Sequence, residues 1–184
     1  MWPQAVRPLA LIAIVGGAFY VVAGIVQLAS AGQTDPFSGT SDYLIEALRA
    51  LSFLLTLAGF VALHLLLRAG GYRGVRGWTG FRAAVLGQGA MLVSTAATLV
   101  AGAPAWGALY FVGVCVLLVG LALLPVATYR AAILPVWSAY LVAALAAVVF
   151  GGIGALVVGA AWIVLAYVLL SRGHAVAGRS PDVR

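Results

Sequence analysis

Long apolar runs follow one another along almost the whole chain, broken at intervals by short clusters of polar and charged residues. A helix crossing a bilayer needs about 20 mostly apolar residues, and about six such stretches can be drawn here. The pattern predicts an all-α, polytopic transmembrane helix bundle. Residues 1–172 form one six-helix domain, with spans at about 8–30, 43–68, 81–102, 106–129, 133–150 and 154–171, and residues 173–184 form a short polar tail. The two last spans are separated because about 40 residues pass without a charge from Ile133 to Ser171. That is too long for one helix in a core about 30 Å thick, and Gly151-Gly152-Ile153-Gly154 is the natural break. Ser41 or Asp42 suits the N-cap of the second span, and Pro135 falls in the first turn of the fifth. Ala29-Ser30-Ala31 reads as a cleavage site, but the apolar run from Leu9 to Leu28 exceeds the roughly 7–15 residues of a signal-peptide core. The first span is therefore expected to stay as a helix of the bundle.

Arginine placement fixes the expected orientation. With both termini cytoplasmic, Arg7, the cluster Arg68, Arg73, Arg76 and Arg82, and Arg130, Arg172, Arg179 and Arg184 all fall inside. Arg49 alone falls outside, near Asp35, Asp42 and Glu46. An odd number of spans would break this pattern. The expected location is a bacterial plasma (inner) membrane.

Composition sharpens the picture. Charged residues make up 8% of the chain against about 25% in soluble domains, so no water-facing shell can be built. Mean hydropathy is +1.16. Every basic residue is arginine, and asparagine is absent, which removes any N-glycosylation acceptor. The arginines lie beside predicted spans, so anionic lipid headgroups explain them better than nucleic acid. Cys115 is the only cysteine, so no internal disulfide can form, and with only His64 and His174 besides, no Cys/His metal site is expected. No cofactor motif is present.

Candidate chemistry is sparse. Glu46 and His64 are eighteen residues apart, five turns of helix, and share a face with Arg49 and Phe60 close to the same stripe. Two readings stay open there: a polar track lining a cavity, or an exposed Glu46–Arg49 pair and a separately packed His64. Counting depth at 1.5 Å per residue places His64, Gln88, Tyr140 and Tyr167 in one polar layer near the cytoplasmic side. Gln27, Arg49, Thr98 and Tyr110, with Glu46 nearer water, form a second layer at the opposite side. Each layer is either a ligand pocket or a set of hydrogen bonds tying helices together. His64, Gln88, Tyr140, Tyr167, Glu46 and Arg49 are the candidate ligand-binding residues. Arg68, Arg73, Arg76 and Arg82, spaced among five glycines, are the candidate lipid-headgroup contacts.

Between the two layers there is no Asp, Glu, Lys or Arg, which argues against a proton relay across the midplane. Ser94, Thr95 and Ser138 lack an evident base, so no catalytic residue is assigned. The stretch LALLPVATYRAAILPVWSAYLVA (residues 121–143) resembles a pattern in uncharacterised actinobacterial multi-pass membrane proteins, where one span ends at Arg and the next opens with Leu-Pro-x-Trp. The resemblance implies a multi-pass fold and carries no activity. The leading expectation is a non-catalytic partner subunit or binder of a lipid-like ligand, alone or as a homo-oligomer. A small oligomeric transporter or channel is the alternative, with Gln88, Thr95 and His64 along one water path. An intramembrane enzyme on lipid or isoprenoid substrates, with His64 as acid or base, is a third.

Overall fold

The computed structural model describes residues 2–30, 39–102 and 106–177, which form helices joined by short turns, with no strand among the described residues. The helices are α1 (Trp2–Ala29), α2 (Thr40–Ala69), α3 (Val75–Ala101), α4 (Gly107–Ala131), α5 (Trp137–Ala144), a 3-10 segment (Leu145–Phe150) continuing α5, and α6 (Gly151–Ala177). Five of them, all but α5, are long and apolar enough to cross a membrane. The chain is an antiparallel helical bundle.

Several boundaries differ from the sequence expectation for physical reasons. Helix α2 starts at Thr40, with extended Gly39 as its N-cap and no side-chain cap, so neither Ser41 nor Asp42 takes that role. The fifth apolar segment is short: it turns helical only at Trp137, because the Pro135 carbonyl accepts from both the backbone N–H and the hydroxyl of Ser138 and holds a turn there. Pro135 thus precedes the helix instead of lying in its first turn. The break at residues 151–154 falls at Gly151, whose φ of +63° suits a residue without Cβ. Helix α6 runs on to Ala177, so the start of the polar tail is helical. The loop at residues 32–38 and the end of the tail, from residue 178, lie outside the described residues.

Packing divides the bundle into two groups. Helix α1 lies along both α6 and α2, while α3 pairs with α4, and α2 joins the groups by packing on α3. Glycines set the closest approaches, as membrane helices require in the absence of a hydrophobic drive between them. A Cβ on Gly17 would stand 2.8 Å from the Gly159 carbonyl oxygen, and one on Gly113 would stand 2.8 Å from that of Gly87. The buried centre is mostly apolar, with Phe60 edge-on to Trp162 at 4.9 Å between centroids, and a few polar side chains such as Ser52, Thr56 and Gln88 are buried with it. Tyr129 and Trp137 are largely exposed at helix ends.

The antiparallel order gathers the start of α1, the end of α2, the start of α3, the end of α4 and the end of α6 at one end of the bundle. That end carries Arg7, Arg68, Arg73, Arg76, Arg82, Arg130 and Arg172; Arg49 lies toward the other. The described carboxylates, Asp42 and Glu46, are both near the Arg49 end.

Candidate functional site

The Arg49 end is built around one guanidinium. Arg49 donates to Glu46 Oε1 at 2.6 Å, one helical turn back on α2, and to Gln27 Oε1 at 2.7 Å on α1. The pair is not an open surface contact: the two side chains keep only 23% and 17% of their surface exposed. The spacing of three residues puts both groups on one helix face, and Gln27 closes the arrangement from the neighbouring helix.

Beside it lies a cavity of about 360 Å³, within the lower range of small-molecule sites. Its polar lining comes from Arg49, Tyr20 and Tyr110; Phe53, Val114, Val148 and Ala155 supply apolar wall. Phe111, 68% exposed, also lines it and brings its mouth to the outer face of α4. Tyr20 is only 3% exposed and stands edge-on to Phe53. Tyr20 and Tyr110 set two phenol groups in this lining. A phenol in an apolar site favours a hydrogen-bond partner, which an occupant of the cavity can supply.

Thus Gln27, Glu46, Arg49 and Tyr110 of the depth-matched layer come together, Thr98 of that layer is not in the cavity lining, and Tyr20 is added. The missed residue had a signal. Tyr20 precedes Gln27 by seven residues, two turns of one helix face.

The other depth-matched layer does not converge. Gln88 is 2% exposed and donates through its amide nitrogen to the Phe53 carbonyl and to the Thr56 hydroxyl of α2. It ties α3 to α2. Tyr140 and Tyr167 turn outward, exposing 73% and 68% of their surface. His64 stacks on Phe81 with centroids 4.2 Å apart and lies against Trp78 at 5.3 Å. The stripe from Glu46 to His64 is not a continuous track either: Phe60 faces Trp162 of α6, whereas His64 faces α3.

At the arginine-rich end, the guanidinium of Arg82 stands 4.2 Å and that of Arg68 5.6 Å from the centre of the Trp78 ring. Such contacts hold a cation without neutralising it. A smaller cavity of about 150 Å³ opens there, lined by His64, Arg68, Arg73, Gly74 and Trp78 among others. Arg76 and Arg82 are exposed and outside that lining. Cys115 is exposed on the outer face of α4. Comparison with protein-family models, with curated proteins and with solved structures finds no match.

Proposed function

We propose that this chain is a non-catalytic, multi-pass protein of a bacterial plasma membrane that holds a lipid-like ligand between its helices at the Arg49 end. Both termini are cytoplasmic in this reading, which follows the arginine distribution.

One observation carries the reading: a buried tyrosine, Tyr20, and the internally paired Arg49 line an otherwise largely apolar cavity that reaches the outer face of the bundle. A lateral mouth suits a ligand that arrives through the bilayer. The polar groups define its head. Glu46 already neutralises Arg49, so the site adds donors without adding net charge. That combination favours a neutral amphiphile with acceptor oxygens, such as ester or ring carbonyls, over a free carboxylate.

Native mass spectrometry of the full chain released from gentle detergent tests this. A co-purifying neutral lipid is expected, lost on filling the cavity with Ala155→Phe and weakened by Tyr20→Phe. Bare protein, or a lipid whose retention ignores both substitutions, would overturn the assignment.

A further inference from the structure

The arginine-rich end presents a different kind of site, independent of the cavity beside Arg49. Arg68 ends α2 and Arg73 lies in the turn to α3; both line the 150 Å³ cavity, with His64 and the Trp78 ring at its side. No described carboxylate is near: Asp42 and Glu46 sit some 20 residues away along α2, at the far end of the bundle. Arg68 and Arg82 flank Trp78 by cation–π contact, which positions the guanidinium groups while leaving their N–H donors unspent. The start of α3 adds to this. Its N-cap is Gly74, which supplies no side-chain cap, so the first-turn N–H groups of Val75 and Arg76 keep no intrahelical acceptor. Gly74 also lines the cavity, and the helix dipole there favours an anion.

We infer that this cavity binds the phosphate monoester headgroup of a lipid, held by Arg68 and Arg73 with the α3 N-terminus beneath it and His64 and Trp78 at its flank. Size and donor number favour a monoester. The space is well under the roughly 300–1,000 Å³ of ordinary ligand sites, so a bulky head does not fit. A monoester offers three acceptor oxygens and up to about two charges to match two guanidinium forks and the backbone donors. A phosphodiester offers two free oxygens and one charge. The lipid is favoured over a soluble phosphate by position: the cavity lies where two membrane-length helices end, and Val75, 78% exposed, stands on its rim.

The test is native mass spectrometry of the full chain in phosphatidylcholine nanodiscs doped with dioleoyl phosphatidic acid, dioleoyl phosphatidylglycerol or neither. One phosphatidic acid per chain is expected, preferred over phosphatidylglycerol. Arg68→Gln and Arg73→Gln should each lower its retention about five-fold, the scale of one arginine near an anionic surface. Arg130→Gln and Arg172→Gln, at the same end but outside the lining, should change it less than two-fold. Equal losses from all four variants would leave only a diffuse surface potential and overturn the site. Equal retention of the two anionic lipids would overturn the monoester assignment. Displacement of the lipid by equimolar inorganic phosphate would overturn the lipid in favour of a soluble ligand. Helical content by circular dichroism, unchanged in these exposed variants, separates each result from misfolding.

Discussion

The two ends of α2 hold arginines in opposite ways. At its start, Arg49 is bound by a carboxylate on the same face and an amide from α1, and its charge is cancelled inside the protein. At its close, Arg68 rests on an indole and meets no described carboxylate, so its charge points outward to whatever the membrane supplies. A guanidinium in a membrane protein must be compensated somewhere, because leaving it uncompensated in hydrocarbon costs several kcal/mol. One end does this with the protein's own residues; the other leaves its cations facing outward, where the proposed lipid phosphate would meet them. The first arrangement leaves a neutral, donor-rich group beside a cavity; the second leaves uncompensated positive charge at the end of the bundle.

The contrast breaks most readily at Glu46. Glu46→Ala strands Arg49 and should destabilise the bundle by about 2–4 kcal/mol, as for other part-buried pairs that lose one partner. Arg68→Ala should cost no more than about 0.5 kcal/mol. Thermal unfolding in detergent compares them, and equal losses would mean that the two arginines are held alike. Adding Arg49→Leu to Glu46→Ala should recover most of the loss, since removing both charges leaves none buried alone.

Next in size is Gln88→Leu, which deletes the tie between α3 and α2 and should cost about 1–2 kcal/mol by the same measurement. Ligand retention at both ends should survive it. A selective loss of one ligand would link Gln88 to that site.

Salt separates the ends more gently. Raising ionic strength from about 0.1 to 1 M shortens the screening length from about 10 to 3 Å. Anionic lipid at Arg68 and Arg73 should then be lost several-fold in retention assays, with the neutral ligand beside Arg49 unaffected. The smallest effects belong to Tyr140→Phe and Tyr167→Phe, each expected within about 0.5 kcal/mol and silent for both ligands. A ligand response from either would reinstate these tyrosines as site residues.

Much of the bundle was legible in the chain, since apolar length and turn residues mark helices without any knowledge of their neighbours. Depth was legible only in part: the fixed rise per residue grouped Gln27, Arg49 and Tyr110, but it also set Gln88 level with His64, whereas Gln88 bonds to Phe53 and Thr56, eight or more residues back along α2. Rotation about each helix axis was not. Helices α4, α5 and α6 are apolar on nearly every side, so little in the sequence shows which face turns inward, and Tyr140 and Tyr167 turn outward. Helix α5 was also expected to be longer, because an apolar run does not reveal that a proline carbonyl holds its first residues in a turn. The stacking of His64 on Phe81 and Trp78 depended on how α2 and α3 cross, which residue spacing within either helix cannot supply.

The 3-10 stretch that completes α5 has a mechanical consequence for the surrounding bilayer. Eight α-helical residues rise about 12 Å, and six in 3-10 geometry rise about another 12 Å, so Trp137–Phe150 reaches only about 24 Å. The hydrocarbon layer is about 30 Å thick, and lipid meeting this flank must compress to follow it, at a fraction of a kcal/mol per Å. Val148 and Gly151, at the end of that short segment, line the cavity beside Arg49. In the proposed membrane setting, a helix this short would draw the bilayer thinner on the flank where the cavity opens.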